Sequence, residues 1–98
     1  MIRHVVCFKL KEGASAQEAK EMLISMRGRE DTALSVEVGI DELHSPRSYD
    51  LILIVTLADF DALARYQTQG YHAGVVKPYM HAVTQQERSV AVDYIVDD

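Results

Sequence analysis

The segment RYQTQGYHAGVV, residues 65 to 76, holds the side chains of this sequence best suited to acid–base chemistry. The imidazole of His72 titrates near neutral pH, so it could take a proton from an acidic carbon. The phenol of Tyr66 could donate a hydrogen bond to the enolate that forms. Helical periodicity does not bring the two together, because they are six residues apart with a break at Gly70. The segment, which also contains Tyr71, is therefore either a small acid–base site or a junction between two helices.

The same residues have structural interpretations, which we favour from the sequence. His72 follows a turn, where its ring could bond to the backbone. Tyr66 lies one turn from Leu63 and could be an aromatic at the edge of the core with its hydroxyl in water. His4 alternates with apolar residues of the first strand and is expected to be a core histidine more than a catalyst. Asp93 is expected to make a polar contact at the rim of a dimer.

Composition excludes several classes of function. The 98 residues are expected to form one domain, residues 1–98, with 48% apolar content and a net charge of −5. Because the basic residues are scattered, neither nucleic acid nor an anionic membrane surface is an expected partner. No stretch approaches the roughly 20 apolar residues of a membrane span, and no signal peptide is recognisable, so the cytoplasm is the simplest compartment.

Cofactor and metal motifs are also missing from the sequence. Cys7 is the only cysteine, so it offers neither an internal disulfide nor a zinc pattern. His72 and His81 are nine residues apart with Pro78 between them, which is not a metal-binding pair of a helix. There is no phosphate loop and no dinucleotide fingerprint. We therefore expect no cofactor and no bound metal.

Hydrophobic periodicity predicts four strands and two main helices. The strands are predicted in MIRHVVCFKL, LSVEVGIDEL, YDLILIVTL and RSVAVDYIV. Ser15 is predicted to cap the first helix, and the region of Asp59 the second, whose apolar face would hold Phe60, Leu63, Ala64 and Gln67. Residues 72 to 83 are predicted to be helical in two pieces, since Pro78 fits a first turn. This β-α-β-β-α-β order is typical of an α+β ferredoxin-like sandwich with one four-stranded antiparallel sheet.

The helices can cover only one face of such a sheet, and the other face is also predicted to be apolar. It would expose six residues: Val5, Cys7, Ile52, Ile54, Ala91 and Ile95. A contiguous apolar patch usually marks an association surface. The sequence therefore predicts a homodimer in which the helix-free faces of two sheets meet.

Four stretches spread over the chain resemble the stress-response A/B barrel domain, or Dabb, family of dimeric α+β barrels. They are IRHVVCFKLK, SYDLILIVTLADFDALARYQ, the histidine of GYHAGVV, and VAVDY. The resemblance implies a ferredoxin-like protomer and a barrel-forming dimer. It also implies two functional possibilities: a domain without assigned activity that binds a small hydrophobic ligand, or a cofactor-independent lyase or isomerase similar to the family's polyketide cyclase.

The cyclase-like possibility depends on a family motif, Tyr-x-x-His-Pro-x-His. Tyr66 and His72 match its first and last positions and would be the oxyanion donor and the general base, while His4 matches the histidine of the first strand. Gln69 and Gly70 stand where the motif has histidine and proline. We therefore expect the turn here, and the entrance to any pocket, to differ from those of the cyclase.

Overall fold

A computed structural model, which describes residues 1–97, confirms the α+β ferredoxin-like architecture. The chain runs through β1 (Ile2–Phe8), α1 (Ala16–Ile24), β2 (Ala33–Ile40), β3 (Leu51–Leu57), α2 (Phe60–Thr68), a π-helical turn (His72–Val76), α3 (Lys77–Val83), a 3-10 turn (Gln86–Arg88) and β4 (Val90–Ile95). The strands form one antiparallel sheet in the order β2-β3-β1-β4. No helix of the described residues is long and apolar enough to cross a membrane.

Side-chain caps define where the first two helices begin. The Ser15 hydroxyl accepts a hydrogen bond from the Glu18 N–H at 3.1 Å. The Asp59 carboxylate accepts one from the Ala62 N–H at 2.8 Å. Both caps satisfy backbone donors that have no partner within the helix, as predicted from the sequence.

The buried face of α2 differs from the predicted one. Ala62 and Tyr66 are buried, whereas Phe60 and Ala64 are exposed. Leu63 is shared by the predicted and the observed face, so periodicity alone could not fix the rotation of the helix. Tyr66 is consequently a central core residue and not an edge residue, with none of its surface exposed.

The hydrophobic core lies between the helices and one face of the sheet. Its most deeply buried side chains come from both layers: Leu23 of α1 and Met26 just after it, Leu53, Val55 and Leu57 of β3, Tyr66 of α2, and Val76 of the π-helical turn. Because alternate residues of a strand point to opposite faces, Ile2 and His4 of β1 face this core as predicted. His4 therefore reaches the helix side of the sheet from its middle.

The register of β4 places a different set of its residues on the helix-free face than the sequence predicted. Val92 pairs with Val5 and Val90 pairs with Cys7, so Val90, Val92 and Tyr94 lie on that face. The prediction that Ala91 and Ile95 lie there was wrong, because Ile95 pairs with the core-facing Ile2. The set Ala91, Asp93 and Ile95 contains a carboxylate and is the more polar of the two, so the alternation of β4 favoured the wrong set for the open face. The apolar residues that β1, β3 and β4 place on the open face are Val5, Cys7, Ile52, Ile54, Val90, Val92 and Tyr94.

Candidate functional site

A sharp turn between α2 and the π-helical turn sets the position of His72. Gly70 has a φ of +75°, a value that side chains disfavour. A Cβ atom at this position would also lie 3.3 Å from Oε1 of Glu30. Proline cannot adopt a positive φ, so a His-Pro sequence could not form this turn with the same backbone. The geometry confirms that Gly70 breaks the helix, and two helical segments meet here.

A cavity of about 170 Å³ opens between this junction and the sheet. Its apolar wall comes from β1, β3, α1 and α3: Val6, Phe8, Leu23, Leu53 and Met80. Tyr66 and five polar side chains complete the lining: His4, Gln67, His72, Lys77 and His81. The three sequence-predicted site residues, His4, Tyr66 and His72, therefore line one cavity. An apolar pocket with a few convergent polar groups is the usual form of a small-molecule site.

The half-buried imidazole of His72 is held from two directions. Its Nδ1 lies 3.0 Å from the carbonyl oxygen of Tyr66, and its ring stacks on the Tyr66 ring with centroids 3.9 Å apart. A carbonyl only accepts, so Nδ1 carries the proton and Nε2 carries a lone pair. Burial lowers the pKa of His72, the Tyr66 carbonyl acts in the opposite sense, and the charge of Lys77 lowers it further. His72 is therefore a neutral imidazole with a free basic nitrogen at neutral pH.

The hydroxyl of Tyr66 is directed into the core, and it is not in water. It donates to Sδ of Met26 at 3.7 Å, and burial together with the charge of Glu30 raises the pKa of the phenol. The ring of Tyr66 contacts two other residues that line the cavity. It stacks on His72 and meets the edge of the His4 ring, with centroids 5.7 Å apart. The oxyanion role predicted for Tyr66 would require its hydroxyl to leave Met26.

His4 and Asp93 form a pair that the sequence did not predict. Nδ1 of His4 donates to Oδ1 of Asp93 at 2.5 Å, and the His4 side chain is only 8% exposed. Asp93 was expected at the rim of a dimer, but its pairing with His4 places it on the helix side of the sheet. The reason is the register of β4, which puts Asp93 directly opposite His4. The carboxylate orients the histidine at the edge of the cavity.

Glu30 is a further residue of the site without any signal in the sequence. Its buried carboxylate accepts the backbone N–H of His72 at 2.8 Å and the Thr32 hydroxyl at 2.6 Å. Burial alone would raise the pKa of Glu30, but these hydrogen bonds lower it overall, with the Thr32 hydroxyl contributing most. An ionised Glu30 therefore ties the start of the π-helical turn to the loop after α1. Only the folded chain brings these segments, 42 residues apart, into contact.

Tyr71 lies outside the site although it is adjacent to His72 in sequence. Its hydroxyl bonds to Oγ of Ser25 at 2.8 Å, and its ring lies 5.8 Å from the guanidinium of Arg29. The Ser25 and Arg29 contacts lower the pKa of this phenol. Tyr71 thereby links the junction between α2 and the π-helical turn to the end of α1. The arrangement in the cavity can thus accept a proton at His72 and bind a compact apolar molecule, while Tyr71 takes no part.

Comparison with known proteins identifies related folds over the whole described chain. The family model for the stress responsive A/B barrel domain matches residues 2–96. A dimeric ferredoxin-like protein of unknown function from Bacteroides fragilis is similar with a TM-score of 0.77 and 17% identity, covering 97% of this chain and 95% of that chain. No functionally curated protein matches this sequence.

Two further solved structures share the fold. A Dabb family protein from Mesorhizobium loti has a TM-score of 0.70 and 23% identity, with 99% of this chain and 97% of that chain covered. A hydroxynitrile lyase from Passiflora edulis has a TM-score of 0.72 and 16% identity, with 99% and 94% covered. At these identities the likeness is one of fold, and it assigns no activity to this chain.

Proposed function

The chain belongs to the stress responsive A/B barrel domain family, and we propose that it binds a small hydrophobic molecule in the cavity between its helices and its sheet. The observation that carries this proposal is that His4, Tyr66 and His72, whose rings contact one another in that order, line one cavity together with apolar side chains. A purely structural junction would be filled by methyl groups. Here about 170 Å³ stays open, comparable to an engineered cavity that accommodates benzene.

The experiment is a thermal-shift screen with compounds of one-ring size: phenols, lactones and apolar carboxylic acids. A ligand at 100 times its dissociation constant stabilises the folded state by about 2.7 kcal/mol, which moves the melting temperature by several degrees. The decisive variant is Val6→Phe, which fills the cavity from the sheet. We expect it to fold and to lose the ligand-induced shift.

A matched substitution controls for the added ring. Val75 is exposed and does not line the cavity, so Val75→Phe should keep the ligand-induced shift of the wild type. Equal shifts in the wild type and in Val6→Phe would place the ligand elsewhere. The absence of a shift with every compound in the wild type would contradict the proposal.

The functional unit in this proposal is a homodimer joined through the helix-free face of the sheet. Support comes from the apolar character of that face, where Val92 is 62% exposed and its neighbours Val90 and Tyr94 are also exposed. A relative of the same fold, from Bacteroides fragilis, is described as dimeric. Pairing two such faces would remove this patch from water while leaving the cavity, on the helix side, open.

A second candidate function is proton transfer without a cofactor, with His72 as the base. The specific observation in its favour is the free Nε2 of a neutral imidazole, fixed by the bond from Nδ1 to the Tyr66 carbonyl. Such a nitrogen could take a proton from the carbon next to a carbonyl group and leave an enolate. The lyase and isomerase reactions that pass through an enolate begin with this step.

The test for this second function is deuterium exchange. Bound ketones or β-keto acids in D2O should exchange the hydrogens next to their carbonyl group faster with the wild type than with His72→Gln, as followed by proton NMR. His44→Gln is the matched control, because His44 is exposed and lies outside the cavity. Equal exchange in all three proteins would exclude His72 as a base and leave the binding proposal intact.

A further inference from the structure

We propose that the ligand of this cavity is a small carboxylate with a one-ring apolar body, whose anionic group is bound by Lys77. This inference rests on the proposed function, since it names the ligand class of the same cavity. It depends on the charges that line the cavity, on the free hydrogen-bonding capacity of Lys77, and on the size of the apolar part.

The charge of the lining is opposite to that of the protein. The chain has 15 acidic and 10 basic residues, yet no carboxylate of the described residues lines the cavity. Lys77 and His81 line it from α3, where a spacing of four places both on one helix face. In an acidic protein this lining is a local basic site, which favours an anion over a neutral or cationic ligand.

Lys77 has hydrogen-bonding capacity left for a ligand. Its half-buried ammonium group donates to the carbonyl of Gln67 at 3.1 Å, which uses one of three donors. Within residues 1–97, no carboxylate lies within 4.0 Å of this group to neutralise it. The bond to Gln67 holds the ammonium group against the end of α2, beside the cavity. Two donors and a full charge therefore remain for an anion.

The two carboxylates that are hydrogen-bonded to His72 and His4 make no ion pair with Lys77. Glu30 accepts bonds from the backbone N–H of His72 and from Thr32, and Asp93 accepts its bond from His4. Both contact the site residues without lining the cavity. They orient the histidines, and the ammonium group of Lys77 remains the uncompensated charge.

The size of the cavity limits the size of the apolar part of the ligand. The cavity volume of about 170 Å³ suits one six-membered ring or a branched chain of similar size. A larger body would have to extend out of the cavity into solvent. Benzoate has the required size and charge, benzamide is its neutral counterpart of nearly the same shape, and acetate carries the charge without the ring.

The experiment measures the dissociation constants of these three probes at neutral pH by NMR titration of the amide signals of residues 66–81. We expect benzoate to bind about tenfold more tightly than benzamide, because charge-assisted hydrogen bonds are the stronger ones. Acetate should bind more weakly than both. In Lys77→Met the preference for benzoate over benzamide should vanish, while affinity for benzamide stays within twofold.

Two variants make the result specific to Lys77. Lys77→Arg keeps the charge and should keep the preference for benzoate, which separates the loss of charge from a disturbed helix. Lys11→Met removes an exposed lysine outside the cavity and should behave as the wild type. A preference for benzoate that persists in Lys77→Met would overturn the inference.

The outcomes also distinguish this inference from the proposed function. If benzamide binds as tightly as benzoate in the wild type, the cavity is a binding site and the assignment of an anionic ligand is wrong. If neither ring compound perturbs the signals of His72 and its neighbours at millimolar concentration, both the binding function and the ligand class are wrong.

Discussion

The imidazole of His72 lies nearly parallel to the phenol ring of Tyr66, with an angle of 12° between the planes and 3.9 Å between centroids. The same imidazole is bonded through Nδ1 to the backbone carbonyl of Tyr66. Tyr66 therefore acts on His72 through its ring and its carbonyl, while its hydroxyl is engaged with Met26 on the core side. The parts of Tyr66 that contact His72 are thus different from its hydroxyl, and a match to the family motif does not distinguish between them.

Tyr66→Phe tests which part of the residue matters. It keeps the stacked ring and removes only a hydrogen bond to sulfur, so we expect the free energy of unfolding to fall by no more than about 1 kcal/mol. Tyr66→Leu also removes the stacking, which is worth about 0.5–1.5 kcal/mol more, and leaves space in the core. Urea unfolding of both variants is the measurement. Equal losses in the two variants would show that the hydroxyl is the important group.

The lowered pKa of His72 makes stability depend on pH. Below its ordinary value of 6.5, the unfolded chain binds a proton that the folded chain does not. The free energy of unfolding should therefore fall as the pH drops from about 6.5 towards the folded-state pKa, with a slope of at most about 1.4 kcal/mol per pH unit for one proton. His72→Gln should flatten this slope, as measured by urea unfolding at several pH values.

A control separates His72 from the other titrating groups. His44 is exposed, so His44→Gln should leave the slope of the wild type unchanged. The pKa of Glu30 is also lowered, and stability from that group is present above 4.5 and lost as the pH falls through the folded value. This second decline lies at lower pH and should persist in His72→Gln. A wild-type slope that survives in His72→Gln would contradict a neutral buried His72.

The sequence predicted the architecture well because local signals were unambiguous. Ser15 and Asp59 are caps with their expected partners, and Gly70 has the positive φ that ends a helix. What could not be predicted depends on contacts between distant segments. The pairing of His4 with Asp93 follows from the register of β4, and the alternation of polar and apolar residues in that strand predicted the wrong face for Asp93.

The candidate site also depends on contacts between distant segments, which the sequence did not predict. His4, Tyr66 and His72, which the family resemblance singled out, line one cavity, but neither Glu30 nor Lys77 was singled out in the sequence. Glu30 is part of the site because it bonds to the backbone of His72, and Lys77 because it lines the cavity. Neither contact can be recognised from the local sequence around a charged residue. The rotation of α2 was missed for a related reason, because Leu63 fits both possible faces.

Two glycines of the same junction should respond oppositely to alanine. Gly70 has a positive φ, and an added Cβ would lie 3.3 Å from Oε1 of Glu30, so Gly70→Ala should cost about 1–3 kcal/mol and loosen the turn that carries His72. Gly74 is exposed within the π-helical turn, and an added Cβ would meet nothing within 4 Å. Gly74→Ala should therefore stabilise by about 0.5–1 kcal/mol through helix propensity. Thermal unfolding of both variants measures this, and equal effects would refute the conformational explanation.

Two apolar residues of β4 distinguish the dimer surface from the other side of the same strand. Val92 and Ile95 are 62% and 67% exposed, but Val92 faces away from the helices and Ile95 faces their side. Val92→Lys would place a charge in the proposed contact between sheets, so it should give a monomer in sedimentation velocity at micromolar concentration. Ile95→Lys changes the same strand equally and should remain a dimer. A monomer from Ile95→Lys alone would assign the interface to the helix side of β4.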